Sequence, residues 1–219
     1  MVPNRLRLGR RESRNIVILG SLGVGKSSLV NMLIGRAVAP VSSDIGVAHP
    51  AIVEYPISSN EFSGDTSSHL HPPCSDLMLR FYDTLGLEHR PSPWSAIKAR
   101  LRRSGGVDVV VYCMRRGRLS NEQVADLRTI WKTFCQDHVP LVLVVVGVDY
   151  RRGSTEAWWE TNGKDFRNAA QVGFTDHICL NTWDSDHPSW KHQGARYEET
   201  QRLVRNLVIR HCRGLHSDS

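Results

Sequence analysis

The sequence predicts a three-layer α/β/α fold, with a mostly parallel, six-stranded mixed sheet covered by helices on both faces. Three observations predict it. Strand-like and helix-like segments alternate along the chain, the order that builds a parallel sheet. The longest apolar run, residues 139–148, is broken only by Pro140 and Gly147, as expected of a strand buried on both faces. A glycine-rich loop at residues 20–27 joins a short apolar strand to a helical pattern.

Each element has its own justification. Residues 15–20 (Asn-Ile-Val-Ile-Leu-Gly) form a short buried strand, and residues 25–34 a helix ending near Gly35. Residues 51–55 are expected as a second strand and residues 77–82 as a third, with Leu77, Leu79 and Phe81 alternating. Residues 57–75, rich in Ser, Pro, His and Gly, read as a loop or hairpin tip. A strand apolar almost throughout follows at 107–113. The helix expected at 120–138 opens on a Ser120-x-x-Gln123 capping box and repeats Val124, Leu127, Ile130, Trp131 and Phe134 at helical spacing. Residues 141–146 are the most hydrophobic strand and belong mid-sheet. A helix at 155–172, a last strand at 177–180 and an amphipathic helix at 193–211, through Tyr197, Leu203, Val204, Leu207 and Val208, complete the series.

The length of 219 residues suits one domain, here expected over 14–212, with mobile tails at 1–13 and 213–219. No run is long and apolar enough for a transmembrane helix, and the N-terminus lacks a secretory pattern, so a cytoplasmic location is expected. The five cysteines, Cys74, Cys113, Cys135, Cys179 and Cys212, are widely spaced and form no C-x-x-C pair, which points to buried free thiols. The net charge of +6 gathers in arginine clusters at 5–14, 100–103 and 115–118. No nucleic-acid motif accompanies them, so solvated segments are expected and specific nucleic-acid binding is not.

Two motifs carry chemistry. The first is Gly20-Ser21-Leu22-Gly23-Val24-Gly25-Lys26-Ser27, followed by Ser28. Its glycines let successive N–H groups turn inward toward phosphate oxygens, and the helix N-terminus adds partial positive charge. Lys26 supplies a full charge for β- and γ-phosphates, and the Ser27 hydroxyl a ligand for Mg²⁺. This strand–loop–helix context predicts the P-loop NTPase fold. The second motif is Asp83-Thr84-Leu85-Gly86, closing an apolar strand. An Asp at a strand's C-terminal end lies where open α/β sheets bind ligands, so Asp83 is expected at the metal, and Gly86 offers an unobstructed N–H to a γ-phosphate.

With these motifs the chain resembles the translation-factor-class GTPases, the group that contains Ras, and more closely their septin-like branch with the immune-associated nucleotide-binding proteins. It is most similar to single-domain G domain-containing proteins common in fungi. The likeness rests on residues 15–20, Gly23-Val-Gly-Lys-Ser-Ser28, Asp83-Thr-Leu-Gly-Leu87, Tyr112-Cys-Met-Arg115, residues 139–147 and Trp158-Trp159-Glu-x-Asn162. It implies GTP or GDP as ligand with Mg²⁺, pairing of two copies across the nucleotide face, and effector proteins. It also implies a base-reading loop after the strand at 141–146. Where such GTPases have Asn-Lys-x-Asp, this chain has Val146-Gly147-Val148-Asp149. Asp149 reads either as the carboxylate for guanine N1 and N2 or as a loop-initiating residue. A second base-contacting turn is implied at Asn181 and Thr182.

The same resemblance frames hydrolysis. Ras-like proteins place a Gln directly after Asp-x-x-Gly, and this chain has Leu87, then Glu88, His89 and Arg90, of which His89 reads as solvent-facing or catalytic. The first switch loop falls within 37–48, where the family's Mg²⁺-binding Thr is matched by Ala48, with Ser42 and Ser43 nearest. The expected activity is therefore a slow Mg²⁺-dependent GTPase acting as a switch or assembly module. The alternatives are a non-hydrolysing nucleotide-binding module and, third, an ATPase. Trp158 and Trp159 read as core packing sooner than as a recognition patch. His69, His71, Cys74 and Asp76 read as an exposed loop sooner than as a metal site.

Overall fold

A computed structural model describes residues 13–41, 50–62, 77–88, 92–135, 139–148, 155–180 and 194–212. Its elements are β1 (Ser13–Gly20), α1 (Lys26–Ile34), β2 (Ile52–Ser58), α2 (Ser59–Phe62), β3 (Met78–Thr84), α3 (Trp94–Arg103), β4 (Val109–Arg115), α4 (Asn121–Ile130), β5 (Leu141–Val146), α5 (Ala157–Ala170), β6 (Asp176–Leu180) and α6 (Gly194–His211). The six strands form one sheet in the order β2-β3-β1-β4-β5-β6. All neighbours are parallel except β2, which runs antiparallel to β3 at the edge. The expected mixed sheet with helical layers is what the chain forms.

Alternation within the strands divides the core in two. Ile16, Ile18, Phe81, Val111, Val142 and Val144 face α1 and α6. Val17, Leu19, Tyr82, Tyr112, Leu143 and Val145 face α3, α4 and α5. Every residue of β5 is buried, because β4 and β6 flank it and helices cover both faces.

Several boundaries moved for identifiable reasons. β2 continues through Pro56 to Ser58, and the short α2 follows where a loop was expected from residue 57. Proline is tolerated there because β2 is an edge strand and Pro56 is exposed. Helix α3 was not expected at all. Only Ile97 and Leu101 are buried in it, four residues apart, and Arg100, Arg102 and Arg103 dominate its pattern. The capping box of α4 is present, with Ser120 Oγ accepting from Gln123 N–H at 3.2 Å and Gln123 Oε1 accepting from Ser120 N–H at 3.0 Å. The helix then widens into one π turn, Trp131–Cys135, and residues 136–138 of the expected helix lie outside the described residues. Trp159 is buried in the core, stacked on His177 with ring centroids 4.1 Å apart, and Trp158 is half-buried beside it. Cys113, Cys135, Cys179 and Cys212 are free and buried, and Cys74 lies outside the described residues. So do His69, His71 and Asp76.

Candidate phosphate and metal site

The loop between β1 and α1 bends on three glycines with positive φ: Gly20 at 145°, Gly23 at 66° and Gly25, the N-cap of α1, at 101°. At Gly20 the requirement is also steric. A Cβ there would stand 2.2 Å from the backbone oxygen of Cys113, its register partner on β4. Close apposition of β1 and β4 thus sets the loop's origin. Behind it, burial pushes the Cys113 thiol up to about 12, so it stays protonated near neutrality.

Lys26 is buried at 7% exposure and folds back over the loop, donating from Nζ to Ser21 O at 2.7 Å and Gly20 O at 3.1 Å. Burial holds its pKa below the ordinary lysine value, against the opposing pull of Cys113, Asp83 and Glu88. The two hydrogen bonds hold its Nζ against the carbonyls that begin the loop.

Ser27 and Asp83, 56 positions apart, meet here: Ser27 Oγ donates to Asp83 Oδ2 at 2.5 Å. Parallel pairing of β1 with β3 brings them together, and Thr84, buried beside Asp83, donates from Oγ1 to Ile18 O at 2.7 Å to fasten the strand end. A hydroxyl and a carboxylate are hard oxygen donors and fit Mg²⁺, which takes one or two protein oxygens and fills its remaining positions with phosphate and water. Among the described residues no group of three or more His, Cys, Asp or Glu forms a closed metal cage.

Gly86 lies against Leu22 of the loop. A Cβ on Gly86 would come within 2.6 Å of Leu22 N and 2.7 Å of its Cα. Leu87, at the position of the Ras-like glutamine, is buried at 3% exposure and packs into the core facing α3 and α4. The following Glu88 turns back to the loop, its Oε2 accepting from Leu22 N–H at 2.9 Å.

Two further residues reach the loop that the sequence did not single out for it. Arg115, exposed at the end of β4, donates from Nη2 to Gly23 O at 3.2 Å. Gln123, beyond its role in the capping box, donates from Nε2 to Ser21 Oγ at 3.4 Å. In the sequence Arg115 stood in the likeness over residues 112–115 and in the arginine cluster at 115–118, beyond the strand expected at 107–113. Only the extension of β4 to Arg115 puts it at a strand's C-terminal end. Asp149, Asn181, Thr182, Ser42, Ser43, Ala48, His89 and Arg90 lie outside the described residues.

Next to the loop, a cavity of about 630 Å³ is lined by Val24 and Gly25 of the loop, by Ser28 and Leu29 on α1, by Val146 and Leu180 at the ends of β5 and β6, and by residues 36–41 opposite. Asn31 holds that opposite wall. Its Oδ1 accepts from Val38 N–H at 2.8 Å and Ala39 N–H at 2.7 Å, and its Nδ2 donates to Ala39 O at 2.8 Å.

A strand-end acid and hydroxyl meeting at a glycine-bent loop, in a sheet of this order, define a P-loop nucleotide-binding fold. Residues 15–146 match the family described as 50S ribosome-binding GTPase, and the chain belongs to that family. It is a GTP-binding G domain. A relative, the "Translocase of chloroplast 34 homolog, chloroplastic" of Chlamydomonas reinhardtii, is 29% identical over 126 residues, 52% of this chain. The match spans 28% of that relative's length.

Among solved structures, Arabidopsis thaliana Toc33 in complex with Mg²⁺ and GMPPNP is similar at TM-score 0.57 and 18% identity, over 91% of this chain and 85% of that one. Aquifex aeolicus Era bound to GDP and AlF4⁻ is similar at TM-score 0.56 and 15% identity, over 94% and 58%. At these identities the likeness is one of fold. The narrower septin-like and immune-associated placement, and the fungal single-domain one, are not supported by these matches, which carry the broader GTPase class.

Proposed function

We propose that this chain is a slow, Mg²⁺-dependent GTPase whose nucleotide state acts as a switch, built as one G domain over residues 14–212. The observation that carries this reading is the 2.5 Å contact between Ser27 Oγ and Asp83 Oδ2 at a loop bent to present its amides. In this reading the backbone of Ser21, Leu22, Gly23, Val24, Gly25, Lys26, Ser27 and Ser28 wraps the phosphates, and Lys26 supplies positive charge. Ser27 and Asp83 hold Mg²⁺, which neutralises charge on the phosphate oxygens when bound. The Gly86 N–H faces the terminal phosphate. The apolar cavity beside α1 receives the purine, with Asp149 reading guanine from the segment that follows β5.

Slowness follows from Leu87. Its side chain is committed to the core, so that position presents no polar group to the attacking water. The same burial favours a second reading, a G domain that binds nucleotide for assembly without hydrolysing it. Pairing of two copies across the nucleotide face belongs to either reading. A solved structure of chloroplast translocon components atToc33 and psToc159, similar to this chain at TM-score 0.59, is described as showing that dimerization is important for their GTPase activity. In this chain exposed Arg115 stands at the loop's rim, on the face where a partner would approach.

The test is the affinity of the purified chain for GTP, GDP and ATP with Mg²⁺, beside Lys26→Ala. Guanine preference that disappears in the variant supports the reading, and equal binding by both proteins refutes it. Single-turnover hydrolysis then separates the GTPase from the assembly module.

A further inference from the structure

We propose that Glu88 makes the site discriminate between nucleoside diphosphate and triphosphate, by competing with a terminal phosphate for the outer limb of the loop. The proposal rests on the nucleotide reading above and adds a specificity-determining residue to it.

Glu88 is an anion placed where another anion is expected. Its Oε2 takes the N–H of Leu22 at 2.9 Å, and the Ser21 side chain also hydrogen-bonds its carboxylate. The Ser21 oxygen already accepts from Gln123 Nε2 at 3.4 Å, which leaves its O–H to be donated to Glu88. Burial alone would raise the Glu88 pKa. Its own backbone N–H, Ser21, Leu22 and the nearby charge of Lys26 together hold it below the ordinary glutamate value, so the group is ionised at neutral pH.

The two limbs of the loop differ. The inner limb, Gly25 to Ser28, opens α1 and offers helix N-terminal amides, which suit the inner phosphates. The outer limb, at Leu22, touches Gly86 at the end of the Asp83–Gly86 turn. A diphosphate held by the inner limb leaves the Leu22–Glu88 bond intact. A third phosphate must approach the outer limb, where two anions cannot share one N–H and one hydroxyl without close like-charge repulsion. Triphosphate binding therefore expels Glu88. Glu88 lies two residues past the turn, beyond the core-bound Leu87, so its release breaks the contact between this strand-end segment and the phosphate loop in one nucleotide state only, which is the behaviour of a switch.

The experiment is calorimetric titration of the full chain with GDP and with the non-hydrolysable analogue GMPPNP, both with Mg²⁺, for wild type, Glu88→Gln and the control Glu122→Gln on the exposed start of α4. Wild type is expected to prefer GDP. Glu88→Gln should narrow the ratio of the two affinities by about tenfold, the scale of a hydrogen bond to a charged group, through tighter triphosphate binding with GDP held within about twofold. Glu122→Gln should leave the ratio unchanged. A ratio unmoved by Glu88→Gln, or equal changes for both nucleotides, overturns the discrimination and leaves the binding site standing. If neither wild type nor Glu88→Gln binds either nucleotide, the guanine-nucleotide reading falls and this proposal with it. Triphosphate binding gained only in Glu88→Gln supports the competition directly.

Discussion

Replacing Gly86 with alanine should separate the Asp83–Gly86 turn from the phosphate loop. The backbone at Gly86 is not in the left-handed region, so the substitution strains no dihedral angle and acts through contact alone. The added Cβ would stand 2.6 Å from Leu22 N, 2.7 Å from its Cα and 2.7 Å from its Cβ. The nearest two of those atoms are backbone and cannot rotate aside. Restoring ordinary van der Waals distance requires the two segments to part by about 0.8 Å. Overpacking of this kind costs roughly 1–3 kcal/mol, and a domain of this size loses about 2–4 °C of melting temperature per kcal/mol.

The Leu22–Glu88 bond bridges the same two segments and should lengthen with them. Urea and thermal unfolding, run beside Gly105→Ala, give the measurement. Gly105 has a positive φ of 94° and open space around its Cβ position, so that control reports left-handed strain without contact, about 1–2 kcal/mol. A Gly86→Ala stability within 0.5 kcal/mol of wild type, with unchanged nucleotide affinity, would refute the claim that backbone contact at Leu22 positions the turn.

Three further outcomes are expected. Asn31→Ala removes three hydrogen bonds to residues 38 and 39. At about 1 kcal/mol each, less roughly 0.6 kcal/mol regained from alanine's helix propensity, it should destabilise by about 2 kcal/mol. Hydrogen exchange should localise the loss of protection to the amides of Val38 and Ala39, and unchanged exchange there would count against the clamp.

Asp176 ties β6 to α6 through His211 at 2.8 Å. Burial would raise its pKa, but the His211 bond, the His177 N–H and the charges of His211 and Arg210 hold the carboxyl below its ordinary value. Its contribution is therefore present above the unfolded carboxylate pKa, near 4, and is lost as pH falls through the lower folded value. Asp176→Asn should be less stable than wild type at pH 6 and converge with it in acid, and a gap independent of pH would refute the assignment. If the nucleotide face is a pairing surface, light scattering should show a mass increase with GMPPNP that Arg115→Ala weakens. A monomer mass in both would sink the pairing.

Much of the scaffold was legible because its signals are local. The capping box at Ser120 and Gln123, the glycines of the phosphate loop and the wholly apolar β5 each act within a few residues of chain. α3 escaped because its three arginines outweigh an apolar stripe of two buried positions, and β2 was cut short at Pro56 because edge placement is invisible in one strand's own residues. The site divides in the same way. Ser27 and Asp83 were recognisable from motifs, whereas Gln123 and Arg115 reach the loop across 102 and 92 positions of sequence.

The sequence by itself determined the fold class, the glycine-bent loop with its lysine and the two oxygen donors assigned to Mg²⁺. Their backbone geometry and chemistry are properties of short segments. Only the tertiary structure decided that Leu87 would be buried and Glu88 would turn onto the loop. Parallel pairing of β1 and β3 sets the turn after Asp83 against Leu22, and the core facing α3 and α4 takes the leucine. With one side chain drawn inward, the next is directed outward to the amide within its reach.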